Sequence, residues 1–509
     1  MIQIHDLTIT HNKDLKILVK QLSFVVNSGD KLAIIGEEGN GKSTLLSCLM
    51  SENLVSNYAQ VSGQILRHFS RYAYLPQSLP AEAGKCSLSD YFFGDMEADL
   101  DYGLVYRLAK ELGFDSQRLA SSQTLSSLSG GERLKVQLIK ALAQPYEILF
   151  LDEPSNDLDL DTLLWLQNFI ASSPTTIVFI SHDPAFLAAT ANKVLHLELL
   201  KKKREARATL SSLDYESYAR ERQLRFDKES KQAKKDQEEH DKKLVKHHRI
   251  HQSVQHNLRQ AHDSTMGRLL AKKMKAILAQ GKRYEREGEN LTQMPEQESS
   301  ISLFFDEITP LPASQTLLLL EDFQLLREDC ILADQLHLHI RGQDKIGLVG
   351  KNGAGKSSLL DQIRKLLQGK SNLKVGFMPQ DYDSYLPLSQ KPLDFLAPSG
   401  EAKDQEQART HLASLNFRRE EIDHPISQLS GGQKAKLLLL HLVLLRPQFL
   451  LLDEPTRNLS PLSHPEVTQL FVDFPGAIFC VSHDREFLQK VCPKIYELTP
   501  QGLLEVDIY

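Results

Sequence analysis

The sequence predicts an α/β chain in which two copies of one parallel-sheet unit are joined by an α-helical hairpin. Three observations carry this expectation. A set of short motifs occurs twice in the same order, and each motif adjoins an apolar run of strand length. The residues between the copies are dense in charge, with neither Pro nor Gly from Leu213 to Asn257. The units are expected over residues 1–200 and 300–509, with the hairpin in 201–299.

The repeat is fixed by its register. GEEGNGKS starts at Gly36 and GKNGAGKS at Gly350, 314 residues further on. LSGGE and LSGGQ start at Leu128 and Leu429; FLDEP and LLDEP align Asp152 with Asp453; SHD aligns His182 with His483. All three pairs are 301 residues apart. Chance does not hold one offset through three separate motifs. The second copy is therefore 13 residues shorter between its glycine loop and its LSGG.

KLAII and KIGLV are short apolar runs that lead into the glycine loops, so each reads as strand, loop, helix. EILFLDEP and QFLLLDEP are strands ending in carboxylates, and TTIVFISHD and GAIFCVSHD are strands ending in a histidine. Strands alternating with helical stretches imply a mostly parallel sheet, with its chemistry at the strands' carboxyl ends.

Each motif suits one part of phosphoryl chemistry. Gly36, Gly39 and Gly41 let the backbone curl so that N–H groups along Gly36, Glu37, Glu38, Gly39, Asn40, Gly41, Lys42, Ser43 and Thr44 face a triphosphate. Lys42 brings a positive charge to the β- and γ-phosphates, and the Ser43 hydroxyl is a ligand for Mg²⁺. Gly350, Lys351, Asn352, Gly353, Ala354, Gly355, Lys356, Ser357 and Ser358 repeat the arrangement. Asp152 and Asp453 end strands where a metal-binding carboxylate is required. Glu153 and Glu454, one residue on, can polarise the water that attacks the γ-phosphate. His182 and His483 follow the next strand and can touch that phosphate.

Composition narrows the class. A chain of 509 residues is too long for one core, and 41% hydrophobic with 25% charged residues is ordinary for globular protein. The longest aliphatic run, Leu437 to Leu445, falls well short of the ~20 residues a bilayer-spanning helix needs. The start, MIQIHDLTIT, has no basic segment followed by an apolar one, so no secretory signal is expected. Five scattered cysteines without a CxxC pair fit reduced thiols in a cytoplasm rather than disulfides or a zinc site.

A glycine loop, LSGG, an apolar strand ending in Asp-Glu and a terminal SHD together resemble the ATP-binding cassette ATPases, over both copies. The resemblance implies that each LSGG lies over the nucleotide held by the other copy. Ser430, Gly431 and Gly432 would face the ATP on Lys42, and Ser129, Gly130 and Gly131 the ATP on Lys356. A helix that follows LSGG would then turn its positive end to phosphate. Gln77 and Gln380 resemble the family's glutamine loops, which contact Mg²⁺ and the attacking water. His11 lies where an adenine-stacking aromatic is usual, whereas the matching position in copy two is Leu325. The loop after Asp152 reads SNDLD and that after Asp453 reads TRNLS, which lacks the closing Asp, so the two sites need not hydrolyse equally.

Residues 201 to 290 hold 24 Lys and Arg against 14 Asp and Glu, a net +10 in a chain whose total is −6. Its Lys, Glu, Gln and Arg favour helix. Leu244, His251 and Leu258 recur every seven residues, and Asp263, Ser264 or Thr265 can cap a second helix with Met266, Leu270, Met274 and Ile277 on one face. The expectation is two antiparallel helices of about 40 and 24 residues meeting between Asn257 and Thr265. Lys242, Lys243, Lys246, His247, His248 and Arg249 flank the tip on one side and Arg259, Arg268, Lys272 and Lys273 on the other, which suits a phosphate-rich target. Charge pattern alone also fits a solvated linker.

Tandem cassettes joined by a basic helical hairpin are similar to the ABC-F family of translation factors. The resemblance extends to TRNLSPLS and implies an ATP-dependent monomer whose two cassettes pair within one chain. It implies binding to the ribosome, with rRNA and tRNA as contacts and the hairpin reaching toward the peptidyl-transferase centre. Some members protect ribosomes from antibiotics and others tune elongation. The step from Gln77 to Ser129 is 52 residues against 50 from Gln380 to Ser430, so no large arm is expected in copy one, a layout that resembles the protective branch. Two other readings are an energy subunit for a separate membrane chain and a DNA-repair ATPase. The first leaves a +10 hairpin unexplained; the second brings zinc-binding cysteines or far longer coiled coils.

Overall fold

The computed structural model describes all residues except 80–81, 95–98, 156–157, 201–204, 260–263, 290–294, 296–300, 302, 306–307, 328–329, 371–372 and 507–509, and the side chains of 258, 264–267, 288–289 and 330. The chain divides into two compact units, residues 1–215 with 298–509, and residues 216–297.

In copy one, β1 (Ile2–His11), β2 (Ile17–Val26) and β4 (Ala59–Arg67) form an antiparallel sheet in the order β2-β1-β4. The main sheet has the order β5-β6-β7-β3-β8-β9, built from β3 (Lys31–Gly36), β5 (Tyr72–Leu75), β6 (Ile148–Asp152), β7 (Thr176–Ile180), β8 (Lys193–Leu199) and β9 (Glu205–Ser211). Pairing is parallel except between β8 and β9. The apolar runs KLAII, ILFL and TIVFI are its buried centre, as continuous hydrophobic strands should be. Glu205–Ser211, expected in the charged linker, is instead the edge strand of this sheet.

Copy two repeats the plan. β10 (Thr316–Arg327) and β11 (Cys330–Arg341) form an antiparallel pair. The main sheet runs β13-β14-β15-β12-β16-β17, from β12 (Lys345–Val349), β13 (Val375–Met378), β14 (Phe449–Asp453), β15 (Ala477–Val481), β16 (Lys494–Thr499) and β17 (Gly502–Glu505). Both glycine loops join a central strand to a helix: β3 to α1 (Lys42–Met50), and β12 to a helix over Lys356–Leu367. Each LSGG opens a longer helix, α2 (Gly130–Leu142) and its counterpart Gly431–Leu445. Ser129 and Ser430 cap these helices with full capping boxes, closed by Glu132 and Gln433.

The unit from 216 to 297 is a helical pair, α3 (Tyr215–Arg259) and α4 (Ser264–Glu289). At ~1.5 Å per residue the first is about 68 Å long. Residues 260–263, and with them Asp263, lie outside the described residues, as do the side chains of Leu258 and of the other cap candidates, Ser264 and Thr265. Antiparallel pairing is fixed by His240, whose Nε2 donates to the Tyr284 carbonyl at 2.9 Å, and by His247, whose Nε2 donates to the Ile277 carbonyl at 2.8 Å. Among the described residues, the buried positions of the two helices are Tyr215 and Tyr218 at the root and Ala233, His240, Val254 and Ile277 along the pair. A seven-residue seam therefore runs through 233, 240, 247 and 254. Leu244 is 37% exposed. Imidazole N–H groups satisfy backbone carbonyls across the seam, which an apolar count misses.

Among the described residues no helix is long and apolar enough to cross a membrane.

Candidate functional site

The glycine loops are shaped by left-handed backbone. Gly41 (φ 84°) and Gly355 (φ 99°) are the residues just before the two loop helices, and a Cβ on Gly41 would lie 2.9 Å from Leu18 Cβ. Only glycine takes that turn at that distance. Lys42 is buried and its Nζ donates to the Gly36 and Glu37 carbonyls at 2.9 and 3.1 Å. Lys356 does the same to Gly350 and Lys351 at 2.7 and 3.1 Å. Burial pulls both lysines below their ordinary value, opposed by neighbouring carboxylates. Asn40 ties its loop down by donating to the Leu197 carbonyl at 3.0 Å.

Asp152 accepts from the Ser43 hydroxyl at 3.2 Å, and Asp453 accepts from Ser357. Burial pushes both carboxyls up to about 6, with Glu153 and Glu454 adding to the rise. Two hard oxygen donors side by side, one of them a desolvated carboxylate, fit a Mg²⁺ that is otherwise held by water and substrate phosphate. Among the described residues no group of three or more His, Cys, Asp or Glu could hold a metal.

The next carboxylates differ between copies. Glu153 (φ 54°) and Glu454 (φ 52°) both sit in left-handed backbone at a strand end, a strained conformation for a non-glycine residue. Burial pushes the Glu153 carboxyl up, but His182, whose Nε2 lies 3.0 Å from Oε1, together with Lys42 holds it below the usual carboxylate value. Its Oε2 has no hydrogen-bond partner among the described residues. His483 Nε2 stands 3.8 Å from Glu454, and burial, opposed by the His483 N–H and Lys356, leaves Glu454 up at about 7. The ring of His182 also reaches copy two, with Nδ1 2.7 Å from the Leu459 carbonyl.

The two copies enclose one cavity of about 720 Å³. His11, Thr44, Gln77, Ser129, Gly130 and Gly131 line it from copy one, and Asn352, Gly353, Gln380, Glu454 and His483 from copy two. A second space, about 370 Å³, lies between Asp159 to Asp161 of copy one and Gly350, Lys351 and His483 of copy two. The turn Ser430–Gly432 meets the first glycine loop directly, with the Gly432 N–H donating to Glu38. A Cβ on Gly431 would stand 2.7 Å from a Glu38 oxygen, which can swing aside, whereas one on Gly432 would meet the Asn458 carbonyl oxygen at 2.9 Å. Glu37 pairs with Lys436 at 3.2 Å and lies 3.4 Å from the Ser463 hydroxyl. The Ser430–Gly432 turn thus touches the first glycine loop, while Ser129, Gly130 and Gly131 share the larger cavity with Asn352 and Gly353 of the second. His11 lines the cavity beside Asp14, which its ring contacts at 2.6 Å, while Leu325 is fully buried and offers no ring.

Sequence reasoning did not single out Lys436 or His464 as site residues, and it marked Asn458 and Leu459 only as part of TRNLS. His464 is 7% exposed, lines the larger cavity 3.3 Å from Asp484, and neither ring nitrogen has a hydrogen-bond partner among the described residues. The aligned position in copy one is Leu163, so comparing the copies residue by residue was the available signal. Asn156 and Asp157 of SNDLD lie outside the described residues.

On the hairpin, Lys242, Lys243, Lys246, His248, Arg249, Arg259, Arg268, Lys272 and Lys273 are exposed. His247 is half-buried and its ring is engaged with Ile277, so it belongs to the seam rather than to the basic surface.

A family model described as ABC transporter matches residues 19–156 and 333–457. The chain is 28% identical to the probable ATP-binding protein YheS of Escherichia coli K12, over 95% of this chain and 77% of that one. It is 26% identical to ATP-binding cassette sub-family F member 3 of Mus musculus, over 92% and 67%. Among solved structures, the complex of archaeal ribosomal stalk protein aP1 and archaeal ribosome recycling factor aABCE1 contains a chain that aligns with a TM-score of 0.60 and 17% identity, over 98% and 90%. At that identity it shows the shared tandem-cassette fold.

Proposed function

Because this chain belongs to the ATP-binding cassette family, in its ABC-F branch, we propose that it binds two ATP between its cassettes, hydrolyses them, and uses closure to place its hairpin on ribosomal RNA. The observation that carries the reading is the Gly432–Glu38 contact, which brings the LSGG of one copy onto the glycine loop of the other. A turn that serves the opposite nucleotide has to be there.

In this reading Lys42 and Lys356 neutralise phosphate charge, and Ser43, Asp152 and Gln77, with Ser357, Asp453 and Gln380, would hold Mg²⁺, which when bound would supply further charge neutralisation to the phosphates. Glu153 or Glu454 accepts a proton from water as its oxygen bonds to the γ-phosphorus. The bond to the β–γ bridging oxygen breaks, leaving ADP and phosphate. His182 orients Glu153 and, through Leu459, reads whether the second cassette is in place. Closure serves the placement of the hairpin near the peptidyl-transferase centre, for translation control or antibiotic protection. The exposed lysines and arginines of α3 and α4 supply non-sequence-specific attraction to RNA phosphate. The chain acts as a monomer in the cytoplasm.

The test is Glu153→Gln with Glu454→Gln, which should trap the ATP-bound form. With ATP present the variant should co-sediment with 70S ribosomes and stop translation. Sedimentation free of ribosomes would sink the proposal and favour a separate membrane-bound partner.

A further inference from the structure

The two glycine loops carry opposite charge. GEEGNGK places Glu37 and Glu38 where GKNGAGK places Lys351 and Asn352. An acidic pair is unexpected in a loop that must approach a triphosphate. The structure shows where these carboxylates go: Glu38 accepts from the Gly432 N–H, at the start of the fifteen-residue helix Gly431–Leu445, and Glu37 pairs with Lys436 one turn further along it. Lys436 and Glu37 are almost wholly buried, at 7% and 10% side-chain exposure.

A second feature explains why Lys436 is available. Its counterpart in copy one, Lys135, pairs with Asp159 of its own cassette at 3.0 Å. Asp159 closes SNDLD, and the matching residue of TRNLS is Ser460, which has no charge to offer. Glu37 supplies the missing carboxylate from the other cassette. The shortened acid content of one loop and the added acid content of another are thus one paired change.

We propose that Glu38 is a specificity-determining residue that makes the first nucleotide site a weak discriminator between nucleoside triphosphate and diphosphate. This rests on the reading that Ser430–Gly432 face the terminal phosphate of the nucleotide on Lys42. A carboxylate already sits on the N–H group that would receive that phosphate, and helix starts favour one anion over two. A terminal phosphate must displace Glu38 or stand beside it, and a diphosphate does neither. At the second site Asn352 is neutral and Lys351 adds positive charge, so the terminal phosphate meets no resident anion from the loop.

The experiment is calorimetric titration of the full chain with Mg²⁺ and either ADP or a non-hydrolysable ATP analogue, fitted to two sites. In the native chain one site should prefer the triphosphate about tenfold less than the other. Glu38→Asn should erase that difference, and Glu38→Gln, which keeps length and removes charge, should do the same. Asn352→Glu should impose the weak preference on the second site. Circular dichroism melts would show that each variant is folded. Two sites of equal preference in the native chain, or Glu38 variants that shift both nucleotides equally, would overturn the proposal. Absence of binding of either nucleotide would instead overturn the underlying reading of the site, and this inference with it.

Discussion

His182 and Leu459 join the two cassettes: Nδ1 of the histidine lies 2.7 Å from the leucine carbonyl, while Nε2 lies 3.0 Å from Glu153. One ring therefore touches both the proposed base of the first site and the backbone of the opposite cassette. His182→Ala removes both contacts. Phosphate release by the first site, isolated by Glu454→Gln, is expected to fall roughly 10²-fold, the scale of a misplaced general base. A fall under threefold in steady-state release would show that the ring is only a spacer.

The two glutamates should respond with opposite sign when neutralised in the absence of nucleotide. Glu454 has a folded value raised to about 7, so its protonated form stabilises the fold below about pH 4.5 and that contribution is lost as pH rises through 7. At pH 8 Glu454→Gln removes a buried charge and should raise the melting midpoint by about 3 °C. Glu153 is held below its ordinary value, so its contribution is present above about pH 4.5 and Glu153→Gln at pH 8 should lower the midpoint. Differential scanning calorimetry of the two variants compares them directly.

The same contrast predicts different pH–rate profiles. With Glu153→Gln only the second site retains its base, and kcat/KM should climb as pH rises through about 7, where Glu454 ionises. With Glu454→Gln the profile should be flat between pH 7 and 8, above the value of about 6 to which burial pushes Asp152. Identical profiles for both single variants would refute the assignment of separate bases.

Much of this was legible in the residues, and what was not has definite causes. Motif offsets of 314 and 301 are properties of the chain, so the two sheets, the glycine loops and the strand-end carboxylates could be aligned before any coordinates. The contacts of Glu37, Lys436 and Leu459 could not, because they depend on how two folded cassettes face each other. TRNLS showed a missing Asp but not that its replacement comes from residue 37. On the hairpin, a seven-residue spacing was visible in Leu244, His251 and Leu258, yet His240 and His247, which bond across the pair, carry no hydropathy signal.

Replacing His240 and His247 together by alanine removes the two cross-helix bonds of the seam. Amide exchange in Ser264–Glu289 should quicken by about fivefold per bond lost, from ~1 kcal/mol each. Unchanged exchange would assign hairpin order to Ala233, Val254 and Ile277 alone.

Replacing Arg268, Lys272 and Lys273 by alanine leaves that seam intact. ATP hydrolysis without ribosomes should be unchanged, while binding to 70S particles weakens and its dependence on salt flattens by up to about three in the log–log slope. Equal loss of hydrolysis and binding would count against a separate task for the hairpin.

So narrow a seam has an evolutionary corollary. Few of the positions in α3 and α4 are committed to keeping the helices together, and the recognition surface is drawn from the others. Substitutions at Lys242, Arg249 or Lys272 can accumulate without loss of the scaffold, so descendants of one gene can address different molecular targets with the same pair of helices.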